Sequence, residues 1–537
     1  MNQKLRKEEE KKDDDLLAAT AKGASYLIML QFVSRMLTFS LNQIVLRYTS
    51  KATFGIASVN LELLSSTILF ISREGFRSAL IRQSKNQQSI LNLAYIPSVF
   101  GLMTTIIVCF YYLSTISIEE QVQFPYYKMS VLLYGVASFA ELLVEPLCIL
   151  ALNNLYFQLR VAVEGTAVVV RCLITFGLTL YFAGNEKLSI LAFGIAQLVY
   201  GFVMMTGYLG YFLYKEKSIN KLLPHKIVEK EQSYWFDKTL LHLGLTMTKQ
   251  SFLKHVLTEG DKMLISVLSS SQDRGVYAFV VNYGSLIVRI LFQPIEETSR
   301  TFFTKVLLTN QDKKEDNEVT AANVLIIFIQ SHVLLGLIFI CFATNYTSTL
   351  IDLLAGKSWS LGEGQAPLVL SMYCIYVPFM GINGITEGFV QAVATKSDLT
   401  QLSYFMVLFS VCFMLSGFIF MYMFELGAIG LILANMVNLG IRIAYSWFYI
   451  CRYFCNNRRV TLSVRQWFPH AATTCSFVVA WIVTYWSESH LGWYTLKQKM
   501  MHIALGGVCF VIVLIVMLWK EKSLINDVKR LKSHKFE

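Results

Sequence analysis

Stretches of apolar residues long enough to cross a lipid bilayer recur along almost the whole chain of 537 residues. A transmembrane helix needs about 17–25 consecutive, predominantly apolar residues. The backbone inside a bilayer must satisfy its own hydrogen bonds, so stretches of this kind fold as helices. Only 15% of the residues are charged, against roughly 25% in a soluble domain, so the pattern predicts an all-α polytopic membrane protein. We count fourteen predicted spans, at 26–46, 54–72, 90–113, 127–152, 161–183, 188–214, 240–268, 275–293, 321–344, 365–392, 400–424, 427–450, 469–487 and 499–519.

The basic residues are concentrated in alternate loops between these spans. With fourteen spans, both termini and the even-numbered loops share one side of the membrane, and that side receives most of the 47 lysines and arginines. Because cytoplasmic loops carry the excess of basic residues, we expect both termini to be cytosolic. The loop after the ninth span would then be lumenal, and its Asn-Tyr-Thr sequon makes Asn345 a candidate N-glycosylation site.

The chain before the loop 215–238 resembles the chain after it. In each half a short polar turn leads to a glycine and then to an apolar helix, and Gly55 and Gly275 lie 220 residues apart. Repeats of six helices are typical of transporters that bind their substrate between two bundles. The predicted organisation is a cytosolic tail (1–25), an N-lobe (26–214), a cytosolic linker (215–238), a C-lobe (239–452), an extra helix pair (469–519) and a basic cytosolic tail (520–537).

Charged and amide side chains inside or at the ends of the predicted spans are the candidate functional residues. Ionisable groups are costly at membrane depth and usually face a cavity or a charged partner. Arginine and lysine bind phosphates strongly, so the cations favour an anionic substrate head group. The predicted substrate-binding cations are Arg35, Arg73, Lys254, Lys262, Arg289 and Arg442. The predicted gating or supporting residues are Asn42, Glu62, Glu74, Glu259, Asp261, Glu387 and Asn435.

Some of these charges have a purely structural alternative. Glu259 and Lys262 are an i, i+3 pair on one helix and could neutralise each other. Basic side chains near helix ends also reach phospholipid head groups without lining any cavity. Three glutamates near predicted cytoplasmic helix ends could pair with nearby arginines. These are Glu141, Glu145 and Glu164, with Arg160 and Arg171 as the candidate partners.

The stretch FISREGFRSAL, at the end of the second span, carries Arg73, Glu74 and Arg77 within five positions. On the predicted cytoplasmic side, Arg77 suits contact with lipid phosphates. Arg73 and Glu74 lie one turn nearer the hydrocarbon, and Gly75 leaves room for a close approach. The corresponding end of the eighth span is also charged, at 296–300. We therefore interpret the stretch as a candidate cytoplasmic gate between the lobes, with a partner for Glu74 within 296–300.

Four stretches of the chain carry a resemblance to a known family. QFVSRMLTFSLNQIVLRYTSKATFGIASVNLELLSSTILFISREGFRSALIR closely resembles the amino-terminal signature of the Rft family of endoplasmic reticulum membrane proteins. LTEGDKMLIS, GINGITEGFVQA and NMVNLGIRIAYS resemble three further stretches of that family, so the resemblance extends from 31 to 446. The family is placed in the multidrug/oligosaccharidyl-lipid/polysaccharide exporter superfamily. This placement implies fourteen helices in two six-helix lobes that form a V, plus two extra helices.

The resemblance also implies a function. It implies translocation of a dolichyl-pyrophosphate-linked mannose–N-acetylglucosamine oligosaccharide from the cytosolic to the lumenal leaflet of the endoplasmic reticulum membrane, for protein N-glycosylation. The predicted partners are this lipid and the membrane lipids, without nucleic acid. The six cations would be pyrophosphate ligands, which rocking of the lobes would expose to alternate sides of the membrane.

We expect neither enzymatic activity nor a cofactor or metal. The sequence contains no G-x4-G-K-S/T motif for nucleotide phosphates. The ten cysteines lie mostly within apolar stretches, and the C-x3-C spacing of Cys451 and Cys455 has no matching ligand cluster.

Three alternative functions stay open at this point. A polyprenol-dependent glycosyltransferase would need a sizeable lumenal loop with acidic residues, but the largest predicted one, 345–364, holds only Asp352 and Glu363. A cation-coupled small-molecule antiporter could use Glu62, Asp261 or Glu387 to bind its coupling ion. A non-transporting membrane factor could bind the lipid-linked oligosaccharide, or the enzymes that build it, through the same cations.

Overall fold

The structure, a computed structural model, describes residues 39–81, 87–154, 156–183, 185–216, 222–229, 232–308, 314–361, 365–455, 457, 459–524 and 526. The predicted cytosolic tail (1–25), Arg35 and most of the first predicted span lie outside the described residues. So do parts of the predicted linker, at 217–221 and 230–231, and the predicted basic tail from 527 onwards. The side chain of Arg289 is also outside them.

The chain divides into two compact units, Met1–Gly260 and Asp261–Glu537. The division falls within one helix, α9, and not in the predicted linker 215–238. The limits of the two six-helix lobes therefore stay a prediction. We call the two compact units unit 1 and unit 2.

Unit 1 is helical apart from one short β-hairpin in its described part. The strands β1 and β2 pair antiparallel, with Ile227 opposite Tyr234. In chain order, the elements are α1 (39–48), α2 (Lys51–Ile81), α3 (Gln87–Thr115), α4 (Ile118–Gln123), α5 (Tyr127–Leu143), α6 (Glu145–Asn153), α7 (Phe157–Tyr181), α8 (Glu186–Glu216), β1 (Ile227–Glu229), β2 (Gln232–Tyr234) and α9 (Lys238–Leu268).

Unit 2 is helical throughout its described elements. Two single 3₁₀ turns, Ala343–Tyr346 and Val464–Trp467, connect its longer helices. These helices are α10 (Ser271–Leu307), α11 (Lys314–Cys341), α12 (Thr347–Leu354), α13 (Lys357–Ser360), α14 (Ala366–Val393), α15 (Lys396–Phe418), α16 (Gly427–Phe454), α17 (Ala471–Leu491) and α18 (Leu496–Lys520).

A serine begins each of the two corresponding helices α2 and α10. Ser50 accepts a hydrogen bond from the backbone N–H of Thr53, and Ser270 accepts one from that of Asp273. Serine at this position satisfies a backbone donor that the first helical turn leaves without a partner. The two caps are 220 residues apart, as Gly55 and Gly275 are. Both helices contain π-helical turns, at Ile56–Leu61 and Phe70–Glu74 in α2 and at Val288–Phe292 in α10.

Ten helices of the described part are long and apolar enough to cross a bilayer, or eleven if the bent pair α5–α6 is one span. The predicted count of fourteen is therefore not confirmed. A helix covers each predicted span after the first, whose residues are largely outside the described part. The helices α9 and α17 are long enough to cross but are less apolar than the other spans.

The bend between α5 and α6 has a local cause. The two helices meet at 42° around Val144. Pro146 stands in the first turn of α6, where it has no backbone N–H to continue the hydrogen bonding of α5. The bend brings Glu145 into the first turn of a new helix.

Each unit has its own apolar core. In unit 1, Leu64 and Ile68 of α2 are buried in one cluster with Tyr127 and Val131 of α5. In unit 2, Phe389 of α14 stacks edge-on against Phe303 of α10. The pair α17–α18 packs on α11, where Phe342 contacts Phe477 and Phe510. These helices also leave large apolar side chains exposed, as expected of surfaces that face lipid.

Candidate functional site

The end of α2 carries two arginines that pair with two buried glutamates. Arg77 donates two hydrogen bonds to Glu145, at 2.6 and 2.5 Å. Arg73 lies 3.5 Å from Glu141 and 3.8 Å from Glu145. The two arginines are four residues apart, and so are the two glutamates. One face of α2 therefore presents both cations to both carboxylates. The bend at Val144 helps to form the cluster, because it places Glu145 at the start of α6.

This cluster corrects part of the sequence analysis. Glu141 and Glu145 were predicted to pair with Arg160 or Arg171, and that prediction is wrong. Arg160 instead pairs with Glu164, at 2.8 Å, as predicted for that glutamate. Arg171 donates to Gln197, at 2.9 Å. A buried carboxylate needs a close cation or several donors, and α2 supplies the cations.

Glu74, Lys254 and His255 form a second polar group in unit 1, between α2 and α9. The ammonium of Lys254 lies 3.7 Å from the Glu74 carboxylate and 5.7 Å from the centre of the Phe70 ring. The buried ring of His255 is hydrogen-bonded to Thr67, at 3.0 Å. The Lys254 side chain is 66% exposed, so its charge can also meet an additional anion. The predicted partner of Glu74 within 296–300 stays a prediction.

Gly75 allows α9 to approach α2 at this point. A Cβ atom at position 75 would lie 2.4 Å from backbone atoms of Thr248, closer than side-chain atoms pack. The sequence analysis expected Gly75 to leave room for a close approach, and α9 is the helix that uses it.

An ion pair in unit 2 joins α16 to α14. Arg442 donates to Glu387, at 2.5 Å, and Asn383 donates to the same carboxylate oxygen, at 3.1 Å. Gln391 donates to the other oxygen, at 3.2 Å. Among the described residues, the buried Nε of Arg442 and Oδ1 of Asn383 have no hydrogen-bond partner. The guanidinium therefore keeps one N–H that an anionic oxygen could accept.

Gly384 provides space for a second carboxylate beside this pair. A Cβ atom at position 384 would lie 2.8 Å from Oε2 of Glu296. The Glu296 side chain thus lies against the backbone of α14. The part of α14 that it contacts is the stretch GINGITEGFVQA, which also contains Glu387. Two carboxylates, Glu387 and Glu296, thus share the surroundings of Arg442, and Arg300 is a second cation near Glu296.

The other predicted site residues lie apart from these groups. Asn42 of α1 and Glu62 of α2 are exposed, and Asn435 of α16 is partly exposed. Asp261 accepts a hydrogen bond from the Tyr277 hydroxyl, at 2.8 Å. Glu259 and Lys262 are partly buried on α9. The backbone of Arg289 forms part of the π-helical turn Val288–Phe292.

Asn345, the candidate glycosylation site, is buried. Its side-chain nitrogen donates to the Trp481 carbonyl, at 3.0 Å, and to the Thr484 hydroxyl, at 2.8 Å. Glycosylation would require that same nitrogen. In addition, the Thr347 hydroxyl is hydrogen-bonded to Ser371, at 3.0 Å. The structure thus gives the sequon a packing role, which anchors α17 to the turn Ala343–Tyr346.

The acidic residue Asp352 also has a structural partner. Its carboxylate pairs with Lys499 of α18 and accepts a hydrogen bond from Ser360, at 2.9 Å. Of the two acidic residues considered for a glycosyltransferase, Glu363 lies outside the described residues. Within the described residues, no group of three or more His, Cys, Asp or Glu could hold a metal ion.

Helices of bilayer length, with ion pairs buried among them, define an integral membrane protein of the polytopic helical class. The chain is similar in fold to the Lipid II flippase MurJ in its inward closed conformation, with a TM-score of 0.60 and 14% identity over 93% of this chain and 99% of that one. It is also similar to a multidrug resistance MATE family transporter of the MOP superfamily in its inward-facing conformation. That similarity has a TM-score of 0.50 and 12% identity, over 81% of this chain and 100% of the other.

The sequence comparison then identifies the family. The model of the Rft protein family matches residues 19–531, and the chain belongs to that family. The protein is 34% identical to the Man(5)GlcNAc(2)-PP-dolichol translocation protein RFT1 of Xenopus tropicalis, over 95% of this chain and 96% of that protein. It is 31% identical to the protein of the same name from Mus musculus, again over 95% and 96%. The resemblance predicted from the four sequence stretches is confirmed.

Proposed function

We propose that this protein translocates a dolichyl-pyrophosphate-linked oligosaccharide, Man(5)GlcNAc(2)-PP-dolichol, from the cytosolic to the lumenal leaflet of the endoplasmic reticulum membrane. The names of the Xenopus and mouse relatives support the substrate. The fold similarity to a lipid flippase is compatible with this role. Under this proposal the protein is a transporter and performs no chemistry on the lipid.

The physical problem of such a transporter is the passage of a charged pyrophosphate and a hydrated glycan through hydrocarbon. Burying an anion without a partner is very costly, so the protein must offer cations inside its membrane helices. Each unit of the structure holds such cations, and the arginines Arg73, Arg77 and Arg442 pair with glutamates.

The single observation that carries the proposal is the Arg442–Glu387 pair. Its guanidinium is only 25% exposed and retains an N–H without a partner among the described residues. Arginine binds phosphate oxygens with charge-assisted, directional hydrogen bonds. Because a quarter of the Arg442 side chain is exposed, a pyrophosphate could bind the accessible part of its guanidinium without breaking the bond to Glu387. Alternate exposure of the cations to the two membrane sides stays the predicted mechanism.

The remaining cations receive roles according to their partners. Arg73 and Arg77 have two buried carboxylates beside them, so we assign them to holding α2 against α5 and α6. Lys254 is the most accessible of the predicted cations of unit 1 in the described residues. We propose that Lys254 binds the pyrophosphate. Its ammonium would then break its ion pair with Glu74.

The experiment that tests the proposal is reconstitution of pure protein in vesicles that contain the lipid-linked oligosaccharide, followed by measurement of its exchange between leaflets. We expect exchange well above that of protein-free vesicles. The double variant Arg442→Gln with Glu387→Gln removes the cation without leaving a buried lone charge, so it should fold and lose at least tenfold in rate, since a charge-assisted hydrogen bond contributes roughly 1.5–3 kcal/mol. Arg459→Gln, which removes an exposed arginine of unit 2, is the matched control and should keep the full rate.

The same experiment separates the alternatives. If the protein binds the lipid but exchange equals that of protein-free vesicles, it is a non-transporting factor and the proposal is wrong. If the vesicles instead take up small cationic molecules, and an imposed sodium or proton gradient drives this uptake, the protein is an antiporter. In cells that lack the protein, full rescue by both Arg35→Ala and Arg442→Ala would contradict the assignment of these cations to the substrate.

A further inference from the structure

Unit 2 contains a groove beside the charged end of α10, and Arg300 of the stretch 296–300 is one of its lining residues. It has a volume of about 750 Å³ and lies between α10, the last turn of α14 and the first half of α15. We call it the unit-2 groove. Its lining residues are Arg300, Thr301, Thr304, Lys305, Gln391, Leu399, Leu402, Ser403 and Met406.

The two walls of the unit-2 groove differ in chemistry. The α10 wall carries two exposed cations, Arg300 and Lys305, separated by the hydroxyls of Thr301 and Thr304. None of the described residues that line the groove has a carboxylate. The wall is therefore complementary to an anion, and Glu296, one turn before Arg300 on α10, balances only part of its positive charge.

The opposite wall is a stripe of α15. Leu399, Leu402 and Met406 recur at helical spacing and face the groove. The neighbouring stripe of the same helix exposes Leu408 and Val411. In a membrane helix such an apolar exposed stripe faces lipid, so the apolar wall continues onto a lipid-facing surface.

The Arg300 side chain is oriented by a chain of hydrogen bonds. It donates to Oε1 of Gln391, at 3.2 Å, and Gln391 in turn donates to Glu387, at 3.2 Å. Glu387 is fixed by Arg442. The cation at the groove is therefore positioned by a chain of hydrogen bonds that ends at the buried Glu387, unlike a lysine or arginine that extends freely from a surface.

We propose that the unit-2 groove binds an anionic membrane phospholipid, with its phosphate on Arg300 and Lys305 and an acyl chain along the α15 stripe. Charge complementarity favours the phosphate, and the continuous apolar wall favours a lipid over a free phosphate. The groove lies at the predicted cytoplasmic end of α10, where anionic lipids concentrate. The assignment holds whether or not the protein translocates its proposed substrate.

The test uses full-length protein in phosphatidylcholine vesicles with a trace of phosphatidic acid that carries a photoreactive group on its acyl chain. After illumination, mass spectrometry identifies the labelled peptides. We expect label on the α15 stretch 399–406, displaced by unlabelled phosphatidic acid but not by phosphatidylcholine or inorganic phosphate. The double variant Arg300→Gln with Lys305→Gln should lose about tenfold or more of this label, since each cation near the surface contributes about 1 kcal/mol.

The control variant Arg459→Gln with Lys520→Gln removes two exposed charges elsewhere on unit 2 and should label as the unchanged protein does. Arg300→Lys with Lys305→Arg keeps both charges and should retain most of the label. Unchanged labelling of 399–406 in the Arg300→Gln, Lys305→Gln variant would overturn the proposal. So would displacement by a polyprenyl phosphate but not by phosphatidic acid, which would assign the groove to the transported lipid instead.

Discussion

At the scale of single residues, the protein places its membrane cations next to carboxylates. Arg77 binds Glu145 in unit 1, and Arg442 binds Glu387 in unit 2. The free energy of such a pair is asymmetric: replacing both partners costs little, whereas removing one leaves an uncompensated charge. The glutamates therefore stabilise the positions of these arginines within each unit.

This asymmetry predicts the effect of removing Glu387 alone. Glu387→Ala should lower the free energy of unfolding by up to about 3 kcal/mol, the lower end for a buried pair because a quarter of Arg442 is exposed. Denaturant unfolding of the detergent-solubilised protein measures the change. Glu387→Ala combined with Arg442→Ala should lose less than Glu387→Ala alone. A loss in the double variant equal to the sum of the losses in Glu387→Ala and Arg442→Ala would mean that the pair does not couple.

The burial of Asn345 predicts that the folded protein carries no glycan at this position. Endoglycosidase treatment should leave the electrophoretic mobility unchanged. Because Asn345 donates two hydrogen bonds to α17, Asn345→Ala should lower the free energy of unfolding by about 1–3 kcal/mol. The exposed Asn42 serves as control, since Asn42→Ala removes a side chain on the surface of α1. A mobility shift on deglycosylation would contradict the buried position.

At the scale of elements, α9 is, with α17, one of two long helices in the described part that are less apolar than the candidate membrane spans. It is 31 residues long, yet it is not apolar enough to count among the candidate membrane spans. Its polar residues in unit 1 face α2, where Thr67 and Glu74 bind His255 and Lys254. These contacts give polar groups of α9 partners within unit 1. The hydrophobicity of α9 alone therefore does not show that this helix packs against α2 in unit 1.

The close approach of α9 to α2 predicts that substitution of Gly75 lowers the stability of the protein, whereas substitution of Gly165 does not. Gly75→Ala should lower the free energy of unfolding by about 1–3 kcal/mol, because the new methyl group overlaps the backbone of Thr248. Gly165→Ala is the matched control in the same unit. A Cβ atom there has no neighbour within 4 Å, so this change should be neutral or stabilise by up to about 1 kcal/mol through helix propensity. The measurement is thermal unfolding of both variants in the same detergent. Equal stability of the two variants would contradict the packing of α9 on α2.

At the scale of the whole molecule, the sequence predicted the class of protein and the position of nearly every long helix. Apolar length and helix caps such as Ser270 are local properties, so the sequence carries them directly. The partners of the charges could not be read in the same way. Arg77 and Glu145 are 68 residues apart, and their contact depends on the bend at Val144 and on how α2 packs. The same reason explains why Asn345 looked like a surface site: only the position of α17 shows that it is buried.

The π-helical turns of α2 and α10 have a consequence for the ancestry of the two halves. A π-helical turn accommodates one extra residue within a helix without breaking it. The caps Ser50 and Ser270 differ by 220 positions, whereas the turns that begin at Phe70 and Val288 differ by 218. An alignment that keeps one fixed offset along both helices therefore loses its register halfway. If the halves arose by duplication, their similarity should emerge most clearly when each helix is compared in two segments, with a gap allowed between them.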